Sequence, residues 1–190
     1  VASAIDAMSP AEQKDPAWVY WKARAVQGHA APGVPGDDAR AAGRQMLESI
    51  ASPLHFYGKL ATEDLGSSLV LPAPPAALSP AERAAANTHP GLNRALQMIA
   101  LGLRPEGVRE WNFSLRGMAD RELLAAAQLA CDREVWDRCI NTSDRTRSEV
   151  DLAQRFPTPF RNEVVAAARD IGLDPAYVYG LIRQESRFIM

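Results

Sequence analysis

The apolar residues of this chain recur three or four positions apart, which is the spacing of one face of an α-helix. Met46, Leu47 and Ile50 form one such stripe, and Val164 and Ala168 belong to another. Runs in which β-branched residues alternate with polar residues are scarce, although that alternation marks a half-buried strand. The pattern therefore predicts an all-α protein.

Capping signals indicate where the helices begin. Ser-Pro-Ala-Glu occurs at 9–12 and again at 79–82, and it is a capping box with proline at the first helical position. Residues 69–77 are apolar but contain three prolines, so we expect an extended segment packed on the surface there. The predicted helices span about 16–28, 37–50, 53–65, 80–87, 91–101, 105–116, 120–130, 134–144, 148–155 and 160–171, and a last one begins at 175.

Many short helices joined by tight turns are typical of stacked helix hairpins, in which each pair buries its apolar face against the next. No strict repeat of about 34 residues runs through the sequence, so no named repeat type is assigned. Pro157 and Pro159 are the predicted boundary between two regions. We expect a helical-repeat-like region over 1–155 and the first part of a second domain over 156–190.

Composition and charge exclude several classes of partner. The 190 residues are 47% hydrophobic, carry a formal net charge of −2 and give a pI near 6.0. This balance is typical of a soluble globular protein and gives no basic surface for nucleic acid. No apolar run approaches the ~18 residues of a membrane-spanning helix, and residues from Val1 onward lack the pattern of a signal peptide.

Residue types that hold metals or phosphates are not grouped. His29, His55 and His89 lie apart, and no cluster of His, Cys and Asp has the spacing of metal ligands. A glycine-rich phosphate loop and the Gly-x-Ser-x-Gly motif of serine hydrolases are both absent. We therefore expect neither a metal nor a cofactor.

Cys131 and Cys139 leave two alternatives open. On one straight helix, eight residues would separate them by about 12 Å, which is too far for a disulfide. If residues 131–133 form a turn between helices, a hairpin brings Cys139 back beside Cys131 and the bond can form. Otherwise the two thiols are free and buried.

Six aromatic side chains at helical spacing are predicted to fill the core between hairpins, although such rings can also stack on sugars. They are Trp18, Tyr20, Trp21, Tyr57, Trp111 and Trp136.

One charged side chain lies on an apolar helical face. Glu185 is the next member of the stripe formed by Val178, Leu181 and Ile182. Burial on such a face disfavours the ionised carboxyl and raises its pKa, so the group can keep a proton to donate as a general acid. The same pattern also fits a half-exposed helix end or an ion pair with a neighbouring arginine, either Arg183 or Arg187.

Residues 179–188, Tyr-Gly-Leu-Ile-Arg-Gln-Glu-Ser-Arg-Phe, closely resemble the catalytic-helix motif of the soluble lytic murein transglycosylases. In that motif the glutamate is the catalytic acid and the next serine lines the substrate groove. The resemblance thus implies a catalytic role for Glu185 and substrate binding by Ser186. It also implies an α-superhelix followed by the first helices of a lysozyme-like domain. Further similar segments lie at 156–161, 172–175 and, more diffusely, 56–61 and 140–146.

The family's chemistry needs one carboxyl group. The acid protonates the glycosidic oxygen after N-acetylmuramic acid, and the resulting carboxylate takes the proton of the C6 hydroxyl, which closes a 1,6-anhydro ring. No water enters, so no second carboxylate is needed, and the nearby acids have other predicted roles. Asp174 is a helix cap, while Glu163 and Asp170 are solvated. The implied substrate is the glycan strand of peptidoglycan, and the implied location is the bacterial periplasm.

In the family, further helices that build the sugar groove follow the Glu-Ser pair, so we expect residues 1–190 alone to be inactive. Two other functions fit the sequence. One is a helical-repeat scaffold that binds protein or glycan without catalysis, and the other is a muramidase that cleaves the same bond with water.

Overall fold

The computed structural model describes residues 1–189, whose regular secondary structure is helical, without a strand among them. Two short 3-10 helices, Glu12–Lys14 and Val34–Gly36, accompany the α-helices. The predicted all-α fold class is confirmed. The α-helices are α1 (Ala2–Asp6), α2 (Pro16–Gly28), α3 (Asp37–Ile50), α4 (Phe56–Asp64), α5 (Pro80–Thr88), α6 (Pro90–Ala100), α7 (Arg104–Ser114), α8 (Asp120–Asp132), α9 (Trp136–Ser143), α10 (Leu152–Arg155), α11 (Arg161–Asp170) and α12 (Pro175–Glu185).

The chain divides into two compact units, one over Val1–Pro72 and one from Ala73 onward. In the first unit, α2 and α3 form a hairpin and α4 packs against both. Their apolar faces supply one core, made of Tyr20, Ala23, Leu47, Ile50 and Ala61.

The second unit is built from the helix pairs α6–α7 and α8–α9, with α5 packed on α8. Trp111 is fully buried in its core, and the indole Nε1–H donates a 2.8 Å hydrogen bond to Thr142 Oγ1 on α9. A Cβ at Gly107 would lie 2.7 Å from the carbonyl oxygen of Ala95, so α6 and α7 approach this closely only because that position is glycine. The predicted stacking of helix hairpins is thus confirmed in both units.

Cys131 and Cys139 form a disulfide across the α8–α9 turn, with their Cα atoms 5.1 Å apart. Glu134 takes a left-handed backbone conformation (φ 56°) in this turn. The hairpin alternative is therefore the one that the structure adopts.

The helix predicted over 148–155 is four residues long in the structure, because long-range hydrogen bonds hold the chain before it. The Asp120 carboxylate, at the start of α8, accepts the Ser148 hydroxyl and three successive backbone N–H groups. Their donors are Arg147 (3.0 Å), Ser148 (2.7 Å) and Glu149 (3.2 Å). These bonds hold the segment in a turn, and Asp151 caps α10 by accepting the N–H of Gln154.

The capping box at 9–12 is followed by a shorter helix than its pattern predicts. The Ser9 hydroxyl and the Glu12 carboxylate make the expected reciprocal hydrogen bonds to backbone N–H groups. Only a 3-10 turn follows, because Asp15 begins the next helix and Pro16 has no N–H to continue the first. At 79–82 the same box forms and opens α5 as predicted.

Arg121 connects four segments of the second unit. Its guanidinium donates to both Glu82 oxygens, at 2.7 and 2.9 Å, and to Glu149 at 3.1 Å. It also donates to the carbonyls of Ala76 (2.8 Å) and Ala77 (3.2 Å), so this end of the proline-rich segment is held in place. The other end differs from the prediction, since its apolar side chains are exposed rather than packed: Leu69, Val70 and Leu71.

The contact with Arg121 makes the stability of the protein dependent on pH. The Arg121 guanidinium lowers the pKa of Glu82 from 4.5 to about 2. Because the folded pKa is depressed, the stabilisation is fully present above about pH 4.5 and is lost as the pH falls through about 2. We expect Arg121→Met to unfold at lower urea than wild type at neutral pH, with a difference that shrinks in acid.

Arg83→Met is the matched control, because Arg83 is an exposed arginine of α5 without an ion pair in the described residues. Its urea midpoint should follow that of wild type at every pH. A difference between Arg121→Met and wild type that stays constant from neutral to acid pH would contradict the assignment.

Removing the disulfide should lower the free energy of unfolding by about 2 kcal/mol, because a cross-link over so short a loop removes only limited freedom from the unfolded chain. The double variant Cys131→Ala/Cys139→Ala and reduced wild type, both measured by urea unfolding, should lose similar amounts. Equal stability of oxidised and reduced wild type would show that the bond contributes nothing.

Candidate active site

The helix that carries the Glu-Ser pair begins as the sequence predicts. The Asp174 carboxylate accepts the N–H of Ala176 at 2.8 Å, and Pro175 occupies the first helical position. α12 packs on α11, and the Tyr179 hydroxyl donates a 2.8 Å hydrogen bond to the carbonyl of Pro159. Burial raises the pKa of Tyr179, so its hydroxyl remains a donor at neutral pH.

Glu185 is the last residue of α12, and its side chain is exposed. The predicted burial of its face is wrong for the residues described. Leu181 is 51% exposed, Val178 and Ile182 are half-buried, and α12 contains no buried residue. The physical reason is that α12 packs on α11 and makes its long-range polar contacts through Tyr179 and Arg183, whereas Glu185 remains exposed within residues 1–189.

Ser186 closes the end of α12. Its hydroxyl donates to the carbonyl of Ile182 and accepts the N–H of Phe188, both at 3.1 Å. Arg187 and Phe188 then take left-handed backbone conformations, and the Phe188 side chain is buried with its ring 6.1 Å from that of Tyr179. A hydroxyl oxygen has two lone pairs, so Ser186 keeps one acceptor position for a ligand.

The other acids near the motif have the roles predicted for them. Asp174 caps α12, and Glu163 and Asp170 are exposed on α11. Glu185 is therefore the acidic residue at the C-terminal end of α12, where the Glu-Ser motif lies.

Arg183 makes the long-range polar contacts of α12. Its Nε–H donates a 2.7 Å hydrogen bond to the carbonyl of Arg155, and a terminal nitrogen lies 3.2 Å from the Asp144 carboxylate. The guanidinium carbon lies 4.5 Å from the centre of the Phe156 ring. Helical spacing predicts Arg183 only as a partner for Glu185. The true partner, Asp144, lies 39 residues earlier, beyond any helical spacing.

The histidines and tryptophans bear on the remaining predictions. His55 and His89 accept backbone N–H groups through Nδ1 at helix starts, and no group of residues in the described part of the chain is arranged to hold a metal ion. Trp111 fills the core as predicted, whereas Trp18 and Trp21 are 40% and 48% exposed.

No helix within residues 1–189 is both long enough and apolar enough to cross a membrane.

Comparison with known proteins identifies one segment directly. Residues 85–148 match the sequence profile of the soluble lytic murein transglycosylase L domain. This segment runs from α5 to the turn that Asp120 holds. A search of curated proteins finds no match.

Solved structures of similar fold cover nearly the whole chain. An inactive mutant of the lytic transglycosylase Slt from Pseudomonas aeruginosa has a TM-score of 0.73 at 24% identity, over 99% of this chain. The 70-kDa soluble lytic transglycosylase from Escherichia coli has a TM-score of 0.66 at 17% identity, over 97% of this chain. A 70-kDa soluble lytic transglycosylase in complex with bulgecin A gives 0.68, at 17% identity over 98%.

The present chain spans 28–30% of the length of these structures. At 17–24% identity these structures show that the fold is similar. The profile match shows sequence similarity over residues 85–148. The two findings agree with the resemblance seen in the Glu-Ser motif. That resemblance is thereby confirmed: residues 85–148 match the L domain of the soluble lytic murein transglycosylase family, and the chain shares the fold of soluble lytic transglycosylases.

Proposed function

We propose that the complete protein is a peptidoglycan lytic transglycosylase in which Glu185 is the catalytic acid and base. The observation that carries this proposal is the position of the Glu-Ser motif. It lies at the exposed end of α12, in the chain that also contains the L-domain match. A carboxyl group at an exposed helix end is accessible to a substrate, and Glu185 makes no ion pair within the described residues.

The reaction proceeds in two proton transfers. Glu185 donates its proton to the glycosidic oxygen between N-acetylmuramic acid and N-acetylglucosamine, and the β-1,4 bond breaks. The Glu185 carboxylate then accepts the proton of the muramic acid C6 hydroxyl, whose oxygen bonds to the anomeric carbon and forms the 1,6-anhydro ring. The carboxyl group ends with the proton it had at the start, so the cleavage is of the lyase type and consumes no water.

Ser186 is proposed to bind the substrate. Its hydroxyl is held by two hydrogen bonds at the end of α12, next to Glu185, and the oxygen retains an acceptor position for a sugar hydroxyl or amide.

The proposed substrate class is the glycan strand of peptidoglycan, and the proposed location is the bacterial periplasm. We also propose the domain division at Pro157–Pro159, with a superhelical region before it and the start of a lysozyme-like domain after it.

The exposure of Glu185 is relevant to whether residues 1–190 are active without the rest of the protein. General acid catalysis requires the proton-donating group to be held within hydrogen-bond reach of the bound substrate. Within residues 1–189 the face that carries Glu185 is open. We therefore propose that residues 1–190 alone do not cleave peptidoglycan.

We expect Glu185→Gln in the complete protein to abolish release of 1,6-anhydro muropeptides from purified sacculi, because glutamine cannot exchange the proton. Mass spectrometry of the released products checks this, since anhydro products lack one water. The substitution should change the free energy of unfolding by no more than about 0.5 kcal/mol, as is usual at an exposed position.

Glu163→Gln is the matched control, because Glu163 is an exposed glutamate on the neighbouring helix. This variant should keep wild-type activity. Hydrated products from the wild-type protein would identify a muramidase instead. Full anhydro release by Glu185→Gln would refute the assignment of Glu185, and absence of any cleavage by the complete wild-type protein would favour the binding scaffold.

We also expect residues 1–190 to release no soluble muropeptides from sacculi under conditions in which the complete protein does. The reason is the open face around Glu185, and the measurement is the same product analysis. Cleavage by residues 1–190 at a rate near that of the complete protein would show that this face already forms a working site.

A further inference from the structure

We infer that Arg183 is a positioning residue for the proposed catalytic glutamate, and that Asp144 and the carbonyl of Arg155 hold it in place. This inference rests on the proposed function. It assigns a role in catalysis to residues before Pro157, outside the predicted catalytic domain. It needs no contact between these residues and the substrate.

The first contact satisfies a backbone group that would otherwise be free. α10 is a single helical turn, so its last carbonyl groups have no partner within the helix. Arg183 Nε–H donates to the carbonyl of Arg155, the last residue of α10, at 2.7 Å. The planar guanidinium donates in fixed directions, so this bond constrains the orientation of the Arg183 side chain.

The second contact is an ion pair at the end of α9. Asp144 follows the last residue of that helix, and its carboxylate lies 3.2 Å from Arg183. The Arg183 side chain is only 19% exposed, and the Phe156 ring covers one face of its guanidinium at 4.5 Å. Because the Arg183 side chain is partly buried, solvent screens this pair less than a pair of fully exposed side chains.

The acceptors of these contacts belong to a rigid part of the second unit. The buried Arg155 side chain donates to the carbonyl of Ser143 at 3.2 Å and to that of Thr146 at 3.0 Å. Thr142, the residue before Ser143, accepts the hydrogen bond of the buried Trp111. Arg183 therefore attaches α12 to a segment whose own side chains and backbone are already fixed by buried hydrogen bonds.

Arg183 and Glu185 are two residues apart on α12, and two residues correspond to a rotation of about 200° around a helix axis. The two side chains thus leave the helix on different sides. Arg183 lies on the side that contacts Asp144 and Arg155, and Glu185 is exposed. Fixing Arg183 fixes the rotation of α12 about its axis, and this rotation sets the direction of the Glu185 carboxyl group.

We expect Arg183→Ala in the complete protein to lower kcat for anhydro-product release by about tenfold or more, because a misplacement of about 1 Å can cost on the order of a hundredfold. KM should change by less than about twofold, since Arg183 does not touch the substrate. Arg183→Lys should recover part of the loss, because one ammonium group keeps the charge but lacks the planar set of donors.

Hydrogen exchange supplies a second measurement that does not depend on activity. In Arg183→Ala the backbone amides of α12 should exchange faster, while those of α8 should keep wild-type rates. Arg169→Ala is the matched control, because Arg169 is an exposed arginine of α11 without an ion pair in the described residues. It should change neither kcat nor exchange.

Asp144→Asn tests the coupling without removing the arginine. It should lower kcat in the wild-type background and have a smaller effect in Arg183→Ala, since both substitutions break the 3.2 Å contact and only the longer Asp144–Arg155 contact, at 3.8 Å, then remains to be lost. Unchanged kcat in Arg183→Ala, or equal effects of Asp144→Asn in both backgrounds, would overturn the inference. If the complete wild-type protein shows no lytic activity, the proposed function fails by itself. Unchanged α12 exchange in Arg183→Ala would then also refute the structural role of Arg183.

Discussion

The burial of α8 is the constraint on which the second unit depends. Most of its residues are buried, and the helix packs against α5, α9 and α10 at once. Its alanines allow this close approach, because helices can pack tightly where side chains are small. The interior positions include Ala125, Ala126, Ala127 and Ala130. Short helices bury too little apolar surface alone to remain folded, so each of these neighbours depends on the shared contact with α8.

Charged side chains at the ends of the helices then fix the connections between them. Asp120 and Arg121, at the start of α8, hold the turn before α10 and the segment before α5 through charge-assisted hydrogen bonds to backbone groups. Arg155 does the same at the end of α9. Arg183 extends this arrangement to α12. In each case a charged side chain forms hydrogen bonds with backbone groups that have no partner within a helix.

These contacts relate the L-domain match to the proposed chemistry. The matched segment, 85–148, contains both Asp144 and the hydrogen-bonded end of α9, and the Glu-Ser motif lies at the end of the helix that Arg183 attaches there. In the inference drawn for Arg183, this helical region supplies the fixed frame against which the proposed catalytic helix is oriented.

Local patterns determined much of this protein. The α-helices after α1, the caps at Ser79 and Asp174 and the Glu-Ser motif could be predicted, because helix formation and capping depend on residues within a few positions of each other. Where local signals competed with distant groups, prediction failed. The helix expected from 148 begins at Leu152 because Asp120, far earlier in the chain, binds the intervening N–H groups.

The candidate site divides in the same way. The sequence by itself made Glu185 and Ser186 the candidate site residues and predicted that Glu185 lies on a buried helical face. Only the tertiary structure decided that Glu185 is exposed within residues 1–189, that Cys131 and Cys139 are joined, and that Arg183 pairs with Asp144. The physical reason is that helical periodicity tells which residues share a face, whereas burial and ion pairing depend on which distant element packs against that face.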